Sequence, residues 1–440
     1  MKRKANGKAL LPMIVFLVIY LGIGIYYEYI NPPEGGMGFY IMSVVVAFMI
    51  ALVVAFFQNN DLNFDEKIHV CTRGIGDDNI TTMLFIFLLA GAFSGIASAA
   101  GGASSTANML LSIIPPQFAI PGLFIIACLI SMAMGTSCGT ITVLTPIAVG
   151  VATTAGLDMA FCVASVVGGS MFGDNLSFIS DTTIAATKTQ GVPMKAKFQE
   201  NFKIALPAAI ATLALLVVLC LNADNGNIDL TGLDFNVWQA LPYFVVLIAA
   251  IIGINVFIVL GAGTILFGFV GIGTGTLGLD STLQSLGSGV NGMFETMIVA
   301  ILVGALGALM EHHGGFEYIL EKVKKYSRGG RGGQFGIGIL TSVLDIATAN
   351  NTIAIVLAGP IAKNISEEFD ITPEKTASLM DIFSCVWQGI IPYGAQLLIA
   401  AGLAHISSVT IVPYLFYPFF LLIAVVITII VGEGRGKKNK

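Results

Sequence analysis

Apolar runs long enough to cross the roughly 30 Å hydrocarbon layer of a bilayer recur from one end of this 440-residue chain to the other. Leu10 to Ile30, Phe39 to Phe57, Met83 to Ala99, Phe202 to Leu221 and Val409 to Val431 are examples. Lipid offers a bare backbone no hydrogen-bond partner, so runs of this kind have to be helices. Of the residues 56% are hydrophobic and only 11% charged, with a mean hydropathy of +0.88, whereas a soluble domain carries about 25% charge. That leaves no room for a large soluble domain. The expected fold class is an all-α polytopic membrane protein, with the lipid bilayer as its partner and no nucleic acid. The net charge of −5 sits in short loops and says little about other partners.

Met1-Lys2-Arg3-Lys4 precedes an apolar run too long for a signal peptide and without an Ala-x-Ala-like cleavage site, so it reads as a retained first helix. Of the six cysteines, Cys128, Cys138, Cys162, Cys220 and Cys385 fall in apolar segments and Cys71 in a loop. No Cys-x-x-Cys spacing suggests a disulfide framework or a metal site. Basic residues gather at Lys188, Lys195, Lys197 and Lys203, at Lys322, Lys324, Lys325, Arg328 and Arg331, and at Arg435, Lys437, Lys438 and Lys440. By the positive-inside rule these three regions and both termini are cytoplasmic. Asp224 to Asp234, without a basic residue, faces the other side. Glu317, Glu321, Lys322 and Lys325 alternate with Phe316, Ile319, Leu320 and Val323, the pattern of an amphipathic helix on the cytoplasmic surface, followed by a flexible Gly/Arg linker over Arg328 to Gly333.

Sliding the chain against itself by 214 places Pro146 on Pro360, Ile147 on Ile361, Ala148 on Ala362 and Thr136-Ser137 on Asn350-Asn351. A slip to 215 places Asp181 on Gln396 and Ala185-Ala186 on Ala400-Ala401. Each half thus has a polar break, a proline-interrupted helix, a further helix and a second break. The resulting division is 1–80, amino-terminal helices and a cytoplasmic loop; 81–222, a first transport repeat; 223–310, connecting spans. It continues with 311–333, amphipathic helix and linker; 334–432, a second repeat; and 433–440, a basic tail. Counting spans puts the two repeats into the membrane from opposite sides, and inverted repeats with broken helices are an architecture of secondary transporters.

Gly173-Asp174-Asn175-Leu176-Ser177-Phe178-Ile179-Ser180-Asp181-Thr182-Thr183 adds two carboxylates and a row of small polar groups to this apolar chain. A carboxylate at membrane depth costs several kcal/mol unless paired, hydrated or protonated, so the cluster reads as a polar pathway. The alternative is a polar loop leaving the bilayer. Gly135-Thr136-Ser137-Cys138-Gly139-Thr140 and Thr348-Ala349-Asn350-Asn351-Thr352 are the breaks expected to meet, because unwound carbonyls and side-chain oxygens can replace a cation's hydration shell.

Gly173-Asp174, Ser177 and Ser180-Asp181-Thr182-Thr183 resemble the signature of the NhaC-type sodium/proton antiporters, and the likeness extends over roughly Phe85 to Ala401. Many relatives carry lysine at the position of Asn175 and proline at that of Phe178, which marks a distinct subgroup. The resemblance implies a fold of two inverted repeats with re-entrant hairpins, often a homodimer, in the cytoplasmic membrane. It implies cation-coupled antiport, of sodium for protons or, in some members, of small organic acids.

Burial disfavours the charged form of a carboxyl, so proton and sodium can compete for one site with no further cofactor. Asp174 and Asp181 lead as carriers, with Asn175, Ser177 and Thr182 as neutral oxygen donors beside Thr136, Ser137, Asn350 and Asn351. Asp345 and Asp381 are the acids of the second half, and Gln388 and Gln396 the amides near its second break. An exchanger of organic acids or amino acids would need cationic or amide groups to hold a carboxylate; no intramembrane arginine is present, but Asn350, Asn351 and helix amino ends could serve, so this alternative stands. A membrane enzyme lacks a nucleophile–base pair or a metal triad.

Overall fold

The computed structural model describes residues 4–31, 41–58, 61–113, 115, 118–177, 180–222, 234–252, 254–326 and 328–432. Nearly all of these are helical, and no strand occurs among the described residues. Met1 to Arg3, most of the acidic loop at 224–233, Phe178 and the tail from 433 lie outside the described residues, as does the side chain of Leu320. Among the described residues seven helices are long and apolar enough to cross a membrane, or eight if Ala395–Ala404 and Ser408–Tyr414, bent by 101°, form one span.

The amino-terminal part comprises α1 (Leu11–Ile25), α2 (Val44–Phe57), α3 (Phe64–Ile75), α4 (Asp78–Ala99) and α5 (Gly102–Ile113). The loop expected around Cys71 is in fact α3. Asn63 accepts from Glu66 N–H (2.9 Å) while the Glu66 carboxylate accepts from Asn63 N–H (2.8 Å), a reciprocal cap that starts the helix. Lys67 then points inward, its Nζ donating to the Phe56 and Gln58 carbonyls at the end of α2 (2.7 and 3.0 Å).

Two helical units follow with the same order. The first is α6 (Ala119–Met134), α7 (Ser137–Ala155), α8 (Met159–Leu176) and α9 (Asp181–Gln190). After it come α10 (Met194–Asn222), α11 (Val237–Ile251), α12 (Val256–Gly273), α13 (Leu279–Gly292), α14 (Phe294–His312) and α15 (Gly315–Tyr326). The second unit is α16 (Gly329–Thr348), α17 (Asn351–Glu368), α18 (Pro373–Gln388) and α19 (Ala395–Ala404), and α20 (Ser408–Ile411) and α21 (Phe416–Val431) close the chain.

Matching caps fix the correspondence of the units at a constant spacing of 214. Gly135 and Ala349 are both left-handed (φ 70° and 49°), and Thr136 and Asn350 both extended (φ −152° and −148°). Asp158 and Thr372 both accept from the backbone N–H three residues on, and Gly191 and His405 both end a short helix in the left-handed region. The slip to 215 expected at the second break does not occur. Asp181 corresponds to Ala395, and Gln396 to Thr182, because the helix starts, not the polar side chains, are in register. The units are interlocked: α9 packs on α17, and α19 packs on α7.

Three further expectations change. Gly329–Gly333, part of the stretch from Arg328 read as a linker, are the first residues of α16, where a Cβ on Gly333 would lie 2.9 Å from Phe369 and Ile371 atoms; this glycine permits close packing. The amphipathic α15 buries Phe316, Ile319 and Val323 within the protein, packed on α16 and α14, so its apolar face is not open to lipid. The apolar run from Val409 is divided at Val412–Tyr414, a 3-10 turn containing Pro413, and only α21 continues it.

Candidate functional site

Both unit breaks border one cavity of about 90 Å³, lined by Thr136, Ser137 and Cys138 from the first and Asn350, Asn351 and Thr352 from the second. Asp174, Asp181, Thr182, Gln388 and Gln396 complete its polar wall, and Thr82 and Met83 of α4 reach it from the side. Helix ends explain the convergence. Thr136 and Asn350 each cap the helix that follows, accepting from Gly139 N–H (3.4 Å) and Ile353 N–H (2.9 Å), so the start of a helix opens at the cavity twice.

Asp174 stands in the last turn of α8, almost fully buried (6% exposed). It terminates a directed chain of donors. Gln388 Nε2 donates to the Ala349 carbonyl (3.1 Å) and to Gln396 Oε1 (2.8 Å). Gln396 Nε2 donates to Ser137 Oγ (3.1 Å), and the Ser137 hydroxyl donates to Asp174 Oδ2 (3.2 Å). The second break is thereby wired to the carboxylate of the first. Gln388 Oε1 is buried without a donor among the described residues, which leaves a carbonyl oxygen free beside the cavity. Asp181, exposed at the first position of α9, sits at the cavity's outer edge.

Four of the expected residues lie elsewhere. Asn175, on the next position of α8, turns away from the cavity and donates to Tyr417 Oη (3.0 Å) and Cys385 Sγ (3.1 Å). Ser177 supports the turn, its carbonyl accepting from Thr183 Oγ1 (2.9 Å). Asp345 is fully buried in α16, away from the cavity wall, with its carboxyl beside the Gln388 backbone.

Asp381 is engaged by a residue that the sequence reading placed on the cytoplasmic surface. Lys197, 1% exposed near the start of α10, holds Asp381 Oδ2 at 2.7 Å and also donates to Thr183 Oγ1 (2.7 Å) and the Asn175 carbonyl (3.1 Å). Asn201, one turn further, donates to Asp381 Oδ2 (2.7 Å) and the same carbonyl (2.9 Å). The chain therefore does have a buried base, and removing one partner of such a pair costs about 3–5 kcal/mol. A count of lysines cannot tell one that reaches water from one that turns inward. The signal available was Asn201, a polar residue one helical turn from Lys197 at the edge of an apolar run.

The Na+/H+ antiporter family model matches two overlapping stretches, residues 6–221 and 169–432, which together take in almost the whole chain. The chain belongs to this family. It is a multi-pass membrane protein of a transporter family. It is 24% identical over 396 residues to the Na(+)/H(+) antiporter NhaC of Bacillus subtilis, covering 82% of this chain and 86% of that protein. A malate-2H(+)/Na(+)-lactate antiporter of the same organism is 20% identical over 387 residues, covering 81% of this chain and 82% of that protein. Among solved structures, the YdaH transporter of Alcanivorax borkumensis aligns over 97% of this chain and 98% of its own at 12% identity, with a TM-score of 0.42.

Proposed function

We propose that the chain exchanges sodium for protons across the cytoplasmic membrane by alternating access, with its termini in the cytoplasm and its two units inserted from opposite sides. The observation that carries this reading is a buried carboxylate, Asp174, facing one small cavity where both helix breaks meet. Oxygen donors suited to a hard cation surround it: the Asp174 carboxylate, the unpartnered Gln388 Oε1, and the hydroxyl and amide groups of Thr136, Thr182 and Asn351. Asp181 at the rim attracts cations to the cavity. A space of about 90 Å³ holds roughly three waters at ~30 Å³ each, the scale of a partly hydrated ion.

An organic-acid or amino-acid cargo is supported by relatives named as malate/lactate and arginine/ornithine antiporters. Neither lysine nor arginine lines the cavity, so a carboxylate there would face Asp174 with no cation to hold it. Competition between sodium and protons in proteoliposomes tests the proposal. Raising the proton concentration raises the sodium half-saturation constant by up to about tenfold per pH unit for one competing proton. A constant independent of pH, or carboxylic acid transport without sodium or proton movement, overturns the reading.

A further inference from the structure

We infer that Lys197 and Asp381 form a charge-setting and positioning pair for the cation site at Asp174, an inference that rests on the antiport reading. Neither residue lines the cavity. Each is nevertheless one connection from it. The Lys197 ammonium directs donors to Asp381 Oδ2, Thr183 Oγ1 and the Asn175 carbonyl, so its three hydrogens are all engaged. The Asn175 carbonyl belongs to the last turn of α8, where no further helical N–H can reach it, and Asn175 follows Asp174 directly. Lys197 and Asn201 thus cap the helix end that presents Asp174. Asp381 and Gln388 are seven residues apart on α18, two turns along nearly the same face. One buried ammonium therefore ties the helix bearing Asp174 to the helix bearing Gln388.

The charge consequence is distinct from the mechanical one. An unneutralised ammonium one residue behind Asp174 would repel the cation that Asp174 binds, and Asp381 cancels it. The pair keeps α8 and α18 together while leaving the site with the charge of Asp174.

Sodium half-saturation for exchange and sodium-dependent thermal stabilisation of purified protein test this. Asp381→Asn leaves Lys197 uncompensated and raises the half-saturation constant about tenfold, the effect of one unit charge at ~10 Å with an effective dielectric constant of about 20. Lys197→Met/Asp381→Asn removes both charges and returns the constant to near the wild-type value, although it deletes more contacts than the single change. A double variant no better than Asp381→Asn overturns the inference. Should Asp381→Asn fail to accumulate in the membrane, Lys197→Met alone at alkaline pH decides: a lower sodium constant supports a charge role, and a higher one overturns it. A wild type whose stability and exchange ignore sodium overturns the antiport reading and this inference with it. A wild type that responds to sodium, with no recovery in the double variant, removes only the inference.

Discussion

The two broken units, 119–190 and 329–404, share their caps and breaks but bring different chemistry to the cavity. At the spacing of 214, Asp174 faces Gln388, Thr136 faces Asn350, Ser137 faces Asn351 and Thr182 faces Gln396. The first unit supplies acids and hydroxyls, the second amides and the Thr352 hydroxyl. Neither an amide nor an aliphatic hydroxyl gives up a proton near neutral pH, so the groups that the second unit brings to the cavity can coordinate a cation without taking part in proton exchange. The difference teaches that the repeated scaffold sets the geometry, while the carboxylates that line the cavity come from one half.

The packing of the units shows a second contrast. In the first, the Phe124 backbone oxygen of α6 meets Gly169 of α8; in the second, the Phe383 ring of α18 covers Gly338 of α16. The corresponding pairs keep one large and one absent side chain but exchange which helix carries it. The close approach between helices is preserved either way.

The largest expected effect comes from the charge contrast. Asp174→Asn should abolish measurable exchange, a loss of at least about 100-fold, while Gln388→Ala raises the sodium constant by about tenfold or less and keeps exchange. Equal losses in vesicles at matched expression would break the division of labour between the halves. Next is the packing contrast. A Cβ on Gly169 would meet the Phe124 backbone oxygen at 2.3 Å, whereas one on Gly338 meets the Phe383 ring at 2.5 Å. A backbone yields less than a ring, so Gly169→Ala should cost about 1–3 kcal/mol by overpacking and Gly338→Ala less, read from thermal unfolding in detergent. The smallest effect distinguishes the breaks. Ala349 holds a left-handed conformation that costs an L-residue about 1–2 kcal/mol, which Gly135 escapes. Ala349→Gly should raise the unfolding temperature slightly and Gly135→Ala lower it; shifts of the same sign would show that the breaks are not equivalent in strain.

Much of this arrangement could be read from the amino acids, for identifiable reasons. Thr136 and Asn350 stand out as polar residues among apolar ones, and they are the caps. Asp174 stands out as an acid beside glycine in an apolar run, and it is the buried acid of the cavity wall. Helix faces were harder to read. Asn175 follows Asp174 directly but points elsewhere, because neighbouring positions on a helix diverge by about 100°; Asp381 shares a face with Gln388 but lies two turns away, against Lys197 and Asn201. The inward turn of Lys197 depends on acceptors contributed by Asn175, Thr183 and Asp381, which come from three other helices or their ends. No local pattern encodes that meeting.

The mutual docking of α9 on α17 and α19 on α7 also bears on how the chain is made. When the ribosome has finished α9 at Gln190, the start of its docking partner α17, at Asn351, is still 161 residues from being synthesised. At roughly 5–20 residues per second that interval is about 10–30 s. During it Thr189 and Gln190 at the end of α9 lack the Gly359 surface that they later meet, so the first half must wait, held by the insertion machinery or by water, until the second half arrives.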